Sequence, residues 1–174
     1  AVLAPHRAGV PGVNLHCAMH SYRTAPDVKV PAQAGTGESL WFDYLGVQSS
    51  GHGPQKPIAI SFLGKKHPVT KGLVDWTTIK EELYNNVVVR DGTDVIARGV
   101  QEPNDKPNIT EAAVVWTSEY DDKKTRVFST TLGHNNETVG DERYLDLVTR
   151  GVLWACGKLD DSGKAFDGYG PLPR

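Results

Sequence analysis

Apolar and polar positions along the chain fall into short runs separated by turn formers, and the runs differ in period. After Pro11-Gly12, the mostly apolar stretch Val13-Asn14-Leu15-His16-Cys17-Ala18-Met19 has strand length and reads as a buried parallel strand ending near His16 or Cys17. In residues 38–45, Leu40, Trp41, Tyr44 and Leu45 recur at helical spacing, and Gly46 stands where a helix would stop. Residues 47–57 are rich in Gly, Ser, Gln and Pro and read as a loop carrying His52. Residues 58–63 alternate like a strand, 67–73 read as a turn, and 76–84 as a short helical or extended link. Two further strands are predicted at 94–100 and 112–119. Asp121-Asp122-Lys123-Lys124 then reads as a hairpin turn leading into a strand at 126–132. The strongest helix signal is 141–157, where Tyr144, Leu145, Val148, Val152, Leu153 and Cys156 share one face. Polar loops are expected at 20–37 and around Pro103 and Pro107, and the tail 160–174 has no period.

A chain of 174 residues fits one compact domain. Its 39% hydrophobic and 23% charged residues are enough for a core that needs no disulfide or metal support. A net charge of −2, with no basic run longer than Lys65-Lys66 or Lys123-Lys124, gives no footprint for nucleic acid or an anionic membrane surface. No apolar run approaches the ~20 residues of a membrane-spanning helix. Cys17 and Cys156 are the two cysteines; the first lies in an apolar run and the second at the end of the predicted helix, and both are expected as buried thiols rather than a disulfide. The chain opens on Ala1 rather than Met, so its start is expected to be a cut; the compartment, whether bacterial cytoplasm, periplasm or outside the cell, stays open.

Several motifs, in order along the chain, resemble one family. His67-Pro68-Val69-Thr70-Lys71-Gly72 resembles its "HPITxG" turn, and Glu81-Glu82-Leu83-Tyr84 its "DELY" element. Val115-Trp116, Glu119-Tyr120 and the run from Arg126 to His134 are similar to "W…YGKGRVFYTTLGH", and Arg150-Gly151-Val152-Leu153-Trp154-Ala155 to "RGILWA". Together they resemble the ThuA-like (trehalose utilisation) family, which shares its fold with class I glutamine amidotransferases. The resemblance implies a flavodoxin-like, mainly parallel sheet flanked by helices, with ligands outside the carboxyl ends of the strands. It makes residues 1–159 the C-terminal part of such a domain, N-terminally truncated, and 160–174 an irregular tail. An open sheet edge is then expected, covered by a second copy or another partner.

Within that fold His16 and His134 end two strands and map to one rim. His16, His20, His52 and His134 fall in strand ends or loops on that side, and imidazole is both a ready metal ligand and the side chain best placed to move protons near neutral pH. Glu82 is the carboxylate expected beside them, with Glu81 its outward-facing neighbour. The expected catalytic set is His16, His134 and Glu82. Expected substrate contacts are His20, His52, Tyr22, Tyr84 and Trp116, with Tyr22 and Trp116 offering a stacking surface. His16 and His20, four apart, would join His134 if a divalent metal such as zinc is held. His67 is expected to cap backbone in its turn, and Arg126 to make a surface pair. Cys17 occupies the place of the amidotransferase nucleophile, but Leu15 and Met19 are too bulky for the crowded corner a nucleophile elbow requires.

The resemblance implies an enzyme acting on a small carbohydrate, a 3-keto-glycoside, by His/Glu acid–base chemistry with or without a metal; isomerase, lyase and hydrolase are the reaction types. The alternatives are a non-catalytic sugar-binding or interaction domain and, disfavoured, a hydrolase dependent on Cys17.

Overall fold

The computed structural model describes residues 1–22, 31–64, 66–102 and 111–170. Residues 23–30 of the loop predicted at 20–37, Lys65, the stretch 103–110 with Pro103 and Pro107, and 171–174 of the tail lie outside the described residues. The elements in chain order are α1 (Ala4–Arg7), β1 (Gly12–Leu15), a 3-10 turn (His16–His20), α2 (Leu40–Leu45), β2 (Val47–Gln48), β3 (Gly51–Lys56), β4 (Ala59–Phe62) and β5 (Trp76–Thr77). Then follow β6 (Glu81–Asn85), β7 (Val88–Val89), β8 (Asp94–Val100), β9 (Glu111–Tyr120), β10 (Thr125–Thr130), α3 (Asn136–Val139) and α4 (Glu142–Ala155).

Six strands form one sheet in the order β1-β10-β9-β8-β4-β5, and β2/β7 and β3/β6 form two small ribbons. The expected mainly parallel sheet is not what the chain builds. Among the described residues only β1 and β10 run parallel; β10/β9, β9/β8, β8/β4 and β4/β5 are antiparallel. The connections explain this. Asp121-Asp122-Lys123-Lys124 closes a tight hairpin, with Asp121 and Lys124 both at positive φ, whereas a parallel neighbour needs a crossover of a dozen or more residues.

Two other expectations change. Residues 47–57 are not a loop: they give β2 and β3, and β3 pairs with β6 around an irregularity between His52 and Gln55. The strand is half-exposed and interrupted at Gly53-Pro54, so it carries none of the apolar alternation that marks a strand. Residues 76–84 take the extended alternative, as β5 and the start of β6 with a bend between them, and Glu81, expected to face outward, is buried together with Glu82, Leu83 and Tyr84.

The sheet separates two cores. One gathers Ile58, Ile60, Val114, Phe128, Leu132, Tyr144 and Leu147; the other gathers Trp41, Tyr44, Leu45, Tyr84, Trp116 and Val127. Val127 and Phe128 are consecutive on β10 and fall in opposite cores, as the two-residue period of a strand requires. Helix α4 starts at Asp141, whose carboxylate accepts the Arg143 N–H at 2.9 Å. Its buried face is Tyr144, Leu147, Gly151 and Ala155, rotated from the predicted one; Leu145 and Val152 are exposed. Gly151 sets the rotation, because a Cβ there would overlap the Phe128 ring.

Both cysteines are free and exposed, against the expectation of burial. Cys17 lies in the 3-10 turn past the strand rather than inside it, and Cys156 caps α4 after its last buried residue. Arg126 donates to the Trp154 carbonyl and lies over that indole rather than making the expected surface ion pair. No described helix is long and apolar enough to cross a membrane. β1 ends the sheet on one side, and its Val13 and Leu15 are exposed.

Candidate functional site

Three separate pieces of chain meet where β1 ends. Leu15 is still extended, and His16 turns the corner at φ +44°, a left-handed conformation that a non-glycine residue adopts only when its surroundings hold it there. The holding contact is specific: His16 Nδ1–H donates to the Thr131 carbonyl at 2.8 Å, just past the end of β10. The chain then passes Gly133, at φ +109°, and presents His134. β6 runs across this corner and contributes Glu81 and Glu82.

The side chains converge closely. His134 Nδ1 lies 3.3 Å from His16 Nε2 and 3.2 Å from Glu82 Oε2, and His16 Nε2 lies 3.8 Å from the same carboxylate oxygen. The two imidazole centroids are 5.2 Å apart. His52, on β3 opposite Tyr84, brings its Nδ1 to 3.7 Å from Glu82 Oε2 and donates to the Gly53 carbonyl at 2.9 Å. Glu82 thus faces three histidines, while its own side chain is only 12% exposed.

Glu81 does not face outward. It is fully buried, and its carboxylate accepts the backbone N–H groups of Gly133 at 3.2 Å and His134 at 2.9 Å. It therefore fixes the loop that carries His134, while Glu82 meets the ring of the same residue. Glu81 and burial together raise the Tyr144 hydroxyl above its ordinary pKa, burial being the larger cause. This clamp was missed, yet one signal pointed to it. Glu81-Glu82 runs directly into Leu83-Tyr84, and a strand apolar on both of its following faces is a strand buried on both sides.

Tyr84 forms a wall: its ring lies 4.6 Å from His20, 5.5 Å from His16 and 5.7 Å from His52. Two predicted contacts fall elsewhere. Trp116 is 1% exposed and donates its indole N–H to the Leu45 carbonyl, so it cannot stack on a ligand. Its strand sits at the centre of the sheet, where both faces are covered. Tyr22 is 63% exposed and packs on Trp41 at 5.0 Å, beside a cavity of about 430 Å³ lined by Leu3, Arg7, Leu40 and Trp41, and it makes no described contact with the cluster. His67 caps its turn, its Nδ1 accepting the Val69 N–H. Cys17 contributes no atom to the cluster; the residue at the strand-to-turn corner is His16, one position earlier.

Two imidazole nitrogens and one buried carboxylate oxygen can accept and donate protons, and His16, Glu82 and His134 are also the described residues grouped closely enough to share a metal ion. His20, expected among the ligands, stands outside that group against Tyr84.

The fold occurs in solved structures. A ThuA-like protein of Parabacteroides merdae is 22% identical with a TM-score of 0.65, the match covering 99% of this chain and 67% of that one. A ThuA-like protein of Bacteroides uniformis is 18% identical with a TM-score of 0.59, covering 88% of this chain and 61% of that one. No curated protein matches. The family model described as trehalose utilisation matches residues 7–155, and the chain belongs to this ThuA family.

Proposed function

We propose that the chain is a carbohydrate-active enzyme whose reacting centre is His16, Glu82 and His134, acting on a keto-sugar such as a 3-keto-glycoside. The observation that carries the reading is the convergence of these side chains, brought from three separate stretches of chain to within 3.2–3.8 Å of one another. Family membership supports the substrate class. Chemistry beside a ketone begins with removal of a carbon-bound proton, while the carbonyl takes up the electron pair as an enolate. It therefore needs a base and an electrophile within one small site. Return of the proton to the neighbouring carbon isomerises the sugar, whereas expulsion of a glycosidic oxygen from the next carbon releases the aglycone. His52, exposed and beside Glu82, connects the cluster to solvent and carries protons in and out. His20 and Tyr84 shape the wall.

The test replaces His16 and His134 by Ala and Glu82 by Gln in turn and follows consumption of 3-keto-glycosides. Losses of at least about 10²-fold in kcat are expected for each, the size typical of a positioned acid or base. Full activity in all three variants would overturn the proposal. A second reading, a non-catalytic sugar-binding domain, is favoured by the exposed Tyr22 ring on Trp41 beside its cavity. Saturable sugar binding that is lost in Tyr22→Ala, with no turnover by the parent protein, would select it.

A further inference from the structure

Resting on that reading of the cluster, we infer that His16, Glu82 and His134 form a three-ligand site for a divalent first-row metal ion of the zinc type, with a further position open to water or to a substrate oxygen.

Hydrogen-bond donors at the cluster are too few. The Nδ1 proton of His16 is committed to the Thr131 carbonyl at 2.8 Å, so the neutral ring offers only a lone pair at Nε2. Ionised Glu82 is acceptor only. These two acceptors stand 3.8 Å apart. The single proton on His134 Nδ1 faces both, at 3.3 Å and 3.2 Å, and satisfies one of them. With His134 deprotonated at Nδ1, three lone pairs converge on one volume, an arrangement that a cation stabilises.

Charge points the same way. Glu81 and Glu82 are consecutive and buried, and neither has a lysine or arginine ion pair among the described residues. Buried carboxylates without a cationic partner are costly, and a dication between the histidines would offset both. Spacing agrees as well. Ligands at ~2.0–2.1 Å from a tetrahedral ion lie roughly 3.3–3.4 Å from one another. The three separations here, 3.2, 3.3 and 3.8 Å, need only small rotations about side-chain bonds to meet that value.

The supporting contacts match what metal-ligating histidines use. The Thr131 carbonyl fixes the tautomer and orientation of His16, and Glu81 holds the loop that carries His134 by accepting the Gly133 and His134 N–H groups. His52, with its Nδ1–H committed to Gly53, keeps Nε2 as its basic nitrogen. The ring stands beside the proposed ligand Glu82, its Nδ1 3.7 Å from Oε2, and the bound metal would serve as the electrophile for the sugar carbonyl.

The test uses the chelator-stripped 174-residue chain, titrated with Zn²⁺ by calorimetry and with Co²⁺ by visible absorption. One equivalent of Zn²⁺ is expected, with a Co²⁺ spectrum of the intense tetrahedral type. His16→Ala, His134→Ala and Glu82→Gln should bind at least ~100-fold more weakly, and Glu81→Gln ~10–100-fold more weakly as a supporting partner. His6→Gln, remote from the cluster, should bind like the parent. A parent chain that takes up no Zn²⁺, or that gives only the weak spectrum of hydrated Co²⁺, overturns the inference. So do folded ligand variants, checked by thermal melting, that bind as the parent does. The two proposals fail separately: full turnover of 3-keto-glycosides by the stripped chain sinks the metal alone, and a metal-binding chain inert towards sugars sinks the substrate reading alone.

Discussion

One strand, β10, serves two regions made of opposite materials. Along its length Phe128 turns under α4 and packs with Leu132, Tyr144 and Leu147, all at most 4% exposed. A few residues later the same chain presents Thr131 and His134 to a rim where nearly every contact is a hydrogen bond or a close approach of ionisable groups. The first region stabilises by apolar burial, which is non-directional and tolerant of small displacements. The second depends on tenths of an ångström, and it contains groups that cost stability to bury. The difference teaches that stability and chemistry are divided within a handful of residues, the rim being held in place by the core rather than adding to it.

The largest expected effect breaks the comparison from the core side. Phe128→Ala should lower the free energy of unfolding by about 3–5 kcal/mol, because the ring is fully buried and Gly151 leaves no side chain to fill the space. Urea unfolding measures it. The folded fraction should still show the cluster chemistry, and an inactive but equally stable variant would erase the division.

A smaller effect separates two neighbouring carboxylates. Glu81→Gln should cost about 1–3 kcal/mol, since an amide can accept from one of the Gly133 and His134 N–H groups but sets its own NH₂ against the other. Glu82→Gln should cost less, because it removes a buried charge whose partners are only imidazoles, while losing far more activity. Equal stability losses in the two variants would mean that Glu82 is structural as well.

How much of this was legible in the sequence follows the same division. Strands β8, β9 and β10, the hairpin between the last two, and the existence of α4 all carry strong local patterns, and the structure places them within a residue or two of where those patterns lie. Their direction was not legible, because a continuously apolar strand reads alike in a parallel or an antiparallel setting, and only connection lengths decide. The rim was partly legible: His16 and His134 were picked out by residue type and strand-end position, Glu82 by the acidic element of the family resemblance, and the structure brings them together. Glu81 was misplaced because single-residue reasoning assigns a charge to solvent, whereas two backbone N–H groups make burial tolerable. Trp116 was misassigned because an indole on a central strand is covered on both sides, which depends on strand order. The cysteines were misjudged for the opposite reason: apolar neighbours in sequence do not bury a residue at the turn beyond a strand or at a helix end.

The smallest expected effect uses an imidazole on the core side to sharpen the contrast with those at the rim. His67 accepts the Val69 N–H at Nδ1, donates to Thr117 Oγ1 from Nε2, and lies 5.2 Å from the Trp154 ring. Burial holds its pKa below the ordinary value of 6.5; Arg126 acts in the same direction, and Asp94 opposes. A proton on Nδ1 would also meet the Val69 N–H head on. The folded ring therefore stays neutral over a range in which the unfolded chain already takes up a proton. Its contribution to stability is complete above pH 6.5, is lost as the pH falls from 6.5 towards the lowered folded value, and is constant below that. Denaturant unfolding at pH 8, 6.5 and 5 should show the parent losing more stability on acidification than His67→Gln, which has no proton to gain. The difference between the two curves cancels the other five histidines to first order. Identical slopes would mean that His67 titrates alike in both states.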